Sequence, residues 1–135
     1  MRMACPDDIH RGDSSALIEI IRDGPRADEC EACLERADQM FISAGTLAEA
    51  LIVARRKGLG DLLELLAGRQ AMAVVPITAN EARRVADAYD RLGKGVHPAR
   101  LNMGDCYAYA LAWERNLPLL FVGDDFSKTD VIPAL

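Results

Sequence analysis

Leu101-Asn102-Met103-Gly104-Asp105-Cys106-Tyr107-Ala108-Tyr109-Ala110-Leu111-Ala112-Trp113 reads as an apolar helix with a carboxylate in its first turn. Asn102 has the side chain of an N-cap. Asp105, three residues on, is placed to reach back to free backbone N–H groups and to favour the positive end of the helix. Met103, Cys106, Tyr107, Ala110 and Leu111 recur at helical spacing and make the face expected to pack into a core. Asp105 is therefore expected at the rim of that core, on a rigid element.

Downstream of this helix, Leu117-Pro118-Leu119-Leu120-Phe121-Val122 reads as a fully buried strand ending in Gly123-Asp124-Asp125-Phe126. Upstream, the loop Lys94-Gly95-Val96-His97-Pro98 follows a helix opened by a Thr78/Glu81 capping box and stopped by Gly93. The apolar face of that helix is Ala82, Val85, Ala86, Tyr89 and Leu92. Ala73-Val74-Val75-Pro76-Ile77 is a strand whose proline places it at a sheet edge or a strand end. Before it come a helix over about 61–70, a helix over 46–56 preceded by Ala44-Gly45, and the short strand Met40-Phe41-Ile42-Ser43. A helix over about 26–37 precedes these. The first helix, Ala16 onward, is opened by Asp13-Ser14-Ser15 and closed by Asp23-Gly24-Pro25. Residues 1–12 read as polar and irregular, with Ile9-His10-Arg11-Gly12 directly before Asp13. Short apolar strands alternating with longer helices indicate an α/β domain with a mostly parallel sheet between helical layers. Ligands of such sheets collect outside the carboxyl ends of the strands.

A chain of 135 residues is expected to form one domain, residues 1–135, able to bury about two-thirds of its unfolded surface. With aromatics at 5%, the core falls to Ala, Leu, Ile and Val. No apolar run approaches the roughly 20 residues of a membrane span, and the first residues lack a signal-peptide core, so a cytoplasmic protein with no membrane partner is expected. A net charge of −5 argues against nucleic-acid binding by a basic surface alone, though not against an enzyme whose bound cations supply positive charge. Lys94, His97 and Arg100 form a local basic trio, read either as a solvated loop or as a contact for RNA phosphates. Cys30-Glu31-Ala32-Cys33 falls within a helical pattern and has no second ligand pair, so the four cysteines, with Cys5 and Cys106, are expected to be reduced thiols, most of them buried.

Four acids stand where a strand-to-helix junction is expected, and in a parallel sheet all four would face one edge: Asp13 opening the first helix, Glu49 after Phe41-Ile42-Ser43, Asp105, and Asp125 after the last strand. Carboxylates gathered there repel one another unless a cation sits between them, and oxygen-only ligands suit Mg²⁺ or Mn²⁺. Each acid also has a local alternative. Thr46 with Glu49 has the spacing of a capping box, Asp13 of an N-cap, and Asp124-Asp125 of a turn.

The segments Asp13-Ser14-Ser15-Ala16-Leu17, Ser43-Ala44-Gly45-Thr46-Leu47-Ala48-Glu49-Ala50, Lys94 to Cys106 with its Asn102-Met103-Gly104-Asp105-Cys106, and Leu119 to Asp130 together resemble the VapC group of PIN-domain ribonucleases. The resemblance implies a three-layer α/β/α PIN-like fold and a metal-dependent endoribonuclease, the toxin of a type II toxin–antitoxin system. Such an enzyme hydrolyses RNA to 5′-phosphate and 3′-hydroxyl ends. It implies Mg²⁺ or Mn²⁺ as cofactor, a small VapB-like antitoxin as partner, and a homodimer. Asp13, Glu49 and Asp105 match the family's first three acids, with Asp13 and Asp105 its principal metal ligands. Asp125 matches the fourth best, with Asp124 and Asp130 beside it, and Ser15 matches the family hydroxyl. One departure is the polar Ile9-His10-Arg11-Gly12 where the family carries an apolar strand. It sustains an alternative, a catalytically weakened PIN-like domain that binds nucleic acid or regulates. Tyr109 and Trp113 are expected in the core rather than as base-stacking platforms. A phosphoacceptor receiver domain, suggested by Asp7-Asp8, lacks the required aspartate at the end of a mid-chain strand.

Overall fold

The structure is a computed structural model that describes residues 9–135, the side chain of Arg115 excepted. In chain order the elements are β1 (Ile9–Gly12), α1 (Ser14–Ile21), α2 (Ala27–Arg36), β2 (Gln39–Ser43), α3 (Ala44–Arg56), α4 (Gly60–Ala67), β3 (Met72–Val75), α5 (Ala79–Leu92), α6 (Met103–Arg115) and β4 (Leu119–Leu120). The strands pair in the order β3-β2-β1-β4, and every pairing is parallel. Cys5 and Asp7-Asp8 lie outside the described residues.

Consecutive strand residues point to opposite faces, and the two leucines of β4 show what this does here. Leu120 packs with Leu17, Met40, Ile42, Ala50 and Leu63 beneath α1 to α4. Leu119 packs with Ala88, Leu101, Cys106 and Ala112 beneath α5 and α6. Each buried aliphatic side chain contributes about 1.5–3 kcal/mol to folding, and the sheet is stabilised from both sides. The result is the expected three-layer α/β/α architecture around a parallel sheet.

The N-terminal expectation is corrected. Residues 9–12 are not irregular: they form β1, an inner strand, in register Ile9 to Gln39, His10 to Met40 and Arg11 to Phe41 on one side and Gly12 to Leu120 on the other. Polar residues are tolerated there because Arg11, 1% exposed, lays its guanidinium 4.3 Å above the centre of the Phe41 ring, a contact strengthened by exclusion of water. Gly12 is small for a reason: a Cβ there would stand 3.0 Å from Ile42 Cγ2.

Other boundaries shift for local reasons. Ala44-Gly45 belongs to α3 rather than to a connector, since Ser43 Oγ accepts from the Gly45 N–H at 3.1 Å and caps the helix there. The last strand is shorter than expected, because pairing with β1 ends at Leu120. α4 stops at Ala67, before the expected Gln70. β3 lies at the sheet edge and ends at Val75, directly before Pro76, so both readings of the proline fit. In α5, Thr78 Oγ1 accepts from the Glu81 N–H at 3.3 Å, but the Glu81 carboxylate pairs with Arg84 instead of closing the box. The expected apolar face of that helix is buried only in part, leaving Tyr89 40% exposed. Met103 and Trp113, both expected in the core, are exposed, while Tyr109 is buried. Cys30, Cys33 and Cys106 are buried and outside any disulfide.

The strand order creates the site. From β1 the chain steps through β2 to β3, then returns to place β4 on the other side of β1. The direction of winding reverses between β1 and β4, and the crevice at their carboxyl ends is where such sheets bind ligands.

Candidate active site

Asp13 follows β1 directly and is the N-cap of α1. Its backbone N–H donates to Leu120 O at 2.9 Å, tying it to β4 at the switch point. Its Oδ2 accepts from the Ser15 N–H at 3.1 Å and from the Ser15 hydroxyl at 2.6 Å, and Ser15 Oγ in turn accepts from the Val122 N–H at 3.0 Å. Oδ1 is buried with no hydrogen-bond partner. The N-cap alternative for Asp13 is thus real, and it uses one oxygen only.

Asp105 repeats the arrangement. Asn102 caps α6 by accepting from the Asp105 N–H at 2.8 Å, and Asp105 Oδ2 accepts from the Asn102 N–H at 3.0 Å, the expected capping box. The other oxygen takes no part in that box. No strand precedes α6, contrary to the expected strand-to-helix junction. A 93–101 loop, pinned by the bridge between Gly93 and Leu101, delivers its N-terminus to the same edge.

Glu49 is not the capping-box partner of Thr46, since Ser43 caps α3. Its Oε1 accepts from the Ser14 hydroxyl at 2.5 Å, and its carboxylate lies where a Cβ on Gly104 would fall. Glu49 therefore stands between the residue after Asp13 and the residue before Asp105.

The three candidates for the fourth acid are separated by their contacts. Asp130 Oδ1 accepts from the Tyr109 hydroxyl at 2.6 Å, and the Asp124 carbonyl closes a turn by accepting from the Ser127 hydroxyl at 2.7 Å. Asp125 is exposed beyond β4, and its charge acts on Asp105.

Burial and mutual repulsion hold the inner acids towards their protonated forms. Asp105 is pushed up to about 7, by burial and then by the charges of Asp125, Asp13 and Glu49. Asp13 is pushed up to about 6 by burial and by Glu49, against the hydrogen bonds from Ser15 that favour its charged form. Among the described residues no three His, Cys, Asp or Glu side chains are closed around a point as ion ligands. The acids stand within Coulombic reach of one another, each inner one with an oxygen that its structural bond leaves over. An orphaned buried carboxylate oxygen, with further carboxylates as the neighbouring donors, has the chemistry that suits a hard divalent cation.

Ser14 was not singled out in the sequence beyond a share in capping. Its one signal is position, next to the first acid and across from α3, and only folding gives it Glu49 as a partner.

Comparison with known proteins places the chain in a family. The PIN domain family model matches residues 13–132. Ribonuclease VapC42 of Mycobacterium tuberculosis is 38% identical over 126 residues, covering 90% of this chain and 96% of that protein. Among solved structures, Mycobacterium tuberculosis VapC20, described as a sarcin-ricin loop cleaving toxin, superposes with a TM-score of 0.76 at 13% identity, over 91% of this chain and 96% of that one. A toxin–antitoxin complex from Klebsiella pneumoniae has a chain that superposes at 0.68 with 20% identity, over 93% and 98%. A family match across nearly the whole chain and a relative so similar over nine-tenths of it lead to one assignment: this chain belongs to the PIN-domain family, within its VapC group.

Proposed function

We propose that this chain is a divalent-metal-dependent endoribonuclease, the toxin of a type II toxin–antitoxin pair, acting as a single domain in the cytoplasm. The observation that carries the reading is the set of half-used carboxylates at the β1/β4 switch point: Asp13 and Asp105 each spend one oxygen on a helix cap and keep the other. The names of the relatives support it. Asp13 and Asp105 are the principal holders of the cation, Mg²⁺ or Mn²⁺, with Glu49 and Asp125 completing the acidic ring. When bound, the cation lowers the pKa of a water and stabilises charge on a phosphate. The residues of the chain do the rest. Ser15 fixes the Asp13 carboxylate, Asn102 fixes Asp105, and Ser14 fixes Glu49, which limits the side-chain ordering left for a cation to impose.

A small VapB-like antitoxin and a second copy of the chain are the proposed protein partners. An open groove of about 520 Å³, lined by Ile77, Val85, Tyr89, Met103 and Tyr107, leaves apolar surface beside the site for such contacts. Among the described residues no helix is long and apolar enough to cross a membrane.

The test is incubation of purified protein with single-stranded and structured RNA in Mg²⁺, Mn²⁺ or chelator, beside Asp105→Asn. Cleavage that needs the metal and is lost in the variant is expected. Binding without metal-dependent cleavage overturns the proposal and leaves the weakened, nucleic-acid-binding reading in its place.

A further inference from the structure

Loop 93–101 joins α5 to the cap of α6 and is closed on itself. The Lys94 N–H donates to Leu101 O and the Leu101 N–H to Leu92 O, both at 3.0 Å. Inside this frame the Val96 and His97 N–H groups share Gly93 O at 3.1 Å, and the Arg100 N–H donates to His97 O at 3.0 Å. His97 Nδ1 accepts from the Ala99 N–H at 3.0 Å, which puts the ring proton on Nε2, the nitrogen free to donate elsewhere. Arg100 is held at φ +53°, a left-handed conformation that disfavours any residue with a side chain. Such outliers persist where the surrounding structure imposes them, and they cluster at ligand clamps.

The loop also concentrates charge. Lys94 and Arg100 are exposed and, with His97, line an open depression of about 430 Å³. Arg22, Arg26, Arg69 and Arg84 are paired with glutamates, whereas among the described residues neither Lys94 nor Arg100 has an acidic partner. The chain carries −5 overall and gathers acids at its site, so a polyanion that docks there needs basic groups close by, and this loop supplies two exposed ones. Leu101 is four residues from Asp105, a reach of at most about 14 Å even for extended chain.

We propose that loop 93–101 is a preorganised phosphate subsite that holds an RNA backbone phosphate beside the scissile one. Lys94 and Arg100 supply charge, and His97 Nε2–H supplies a directed hydrogen bond. The proposal rests on the ribonuclease reading above. Phosphate contacts set register and affinity without reading sequence, so the loop is a binding element rather than a source of catalytic groups.

The experiment measures binding of labelled single-stranded RNA by chelated protein across a salt series, and separately kcat and KM in metal. The variants are Lys94→Met, Arg100→Gly, their double, and His97→Asn, which keeps an acceptor for the Ala99 N–H while losing the Nε2–H donor. The slope of log affinity against log salt is expected to shrink by about 0.7 for each cation removed. KM of the double variant is expected to rise about tenfold with kcat within about twofold of wild type. Arg100→Gly separates charge from fold: relief of the positive φ raises Tm while RNA binding weakens. A double variant with unchanged salt slope and KM overturns the proposal, as does a fall in kcat alone, which would make the loop a support for α6. Wild type that binds with the expected slope but does not cleave overturns the ribonuclease reading and leaves the subsite standing.

Discussion

The Ser14 hydroxyl donates to Glu49 Oε1 at 2.5 Å, joining the first turn of α1 to α3 across 35 residues of sequence. Glu49 would otherwise swing freely from a helix surface. Ser14→Ala is expected to lower affinity for Mg²⁺ or Mn²⁺ by about 10- to 100-fold, the range for losing a residue that orients a ligand, with Tm little changed. Calorimetric metal titration measures this, and Ser14→Thr is expected to restore part of it. Equal affinities for wild type and Ser14→Ala would remove Ser14 from the site.

Gly104 presents the same carboxylate from the other side. Gly104→Ala favours the helix by about 1 kcal/mol on propensity, but its Cβ occupies the place of the Glu49 carboxylate. Only the flexible end of Glu49 has to move, so the fold is expected to persist while RNA cleavage falls by about tenfold or more. Thermal unfolding and cleavage rates on the same preparation check the two halves together.

The stability of the metal-free protein is expected to fall as pH rises from about 4 to about 7. Burial pushes Asp13 up to about 6, and burial with neighbouring charge pushes Asp105 up to about 7. The folded state therefore binds more protons than the unfolded chain in this interval. The stabilisation is complete below the unfolded pKa and is lost as pH passes the folded values. Asp13→Asn removes part of the slope, raises Tm at pH 7.5, and abolishes cleavage. Saturating Mg²⁺ opposes the loss, contributing about 2.7 kcal/mol at a hundred times its Kd. A metal-free Tm that climbs with pH across this range contradicts the site electrostatics.

Arg11 holds the inner strand against Phe41. Arg11→Ala is expected to destabilise the fold by about 2–4 kcal/mol through lost packing of a fully buried side chain, and Phe41→Leu by less. Because Asp13 is two residues further on, cleavage by Arg11→Ala should fall even below its melting temperature. Urea unfolding and activity at low temperature measure both effects.

Much of the fold was legible because periodicity and caps are local. Asn102 and Asp105 carry their geometry in a four-residue window, and the capping box forms as read. Pro76 marked the end of β3, which stops at Val75. What was misread depends on partners far along the chain. Ile9 to Gly12 lacks an apolar pattern, and its pairing with β2 and β4, with Phe41 beneath the Arg11 guanidinium, makes it an inner strand. Glu49 has the spacing of a capping box with Thr46, yet the Ser43 hydroxyl already caps that helix and leaves the carboxylate to Ser14. Trp113 is apolar and on a core helix, but its position faces outward, where Arg91 covers the ring.

By itself the sequence determined the α/β class, the parallel order of alternating elements, and that Asp13 and Asp105 open helices, because backbone capping and hydrophobic spacing act over a few residues; Glu49, expected at a junction, lies inside α3. The tertiary structure alone decided that β1 lies between β2 and β4, and that Asp13, Glu49 and Asp105 share one edge. It also decided which oxygen of each acid stays unspent. Those are long-range facts: strand order and side-chain pairing are set by how two cores close on opposite faces of one sheet, and no short window of residues contains that information.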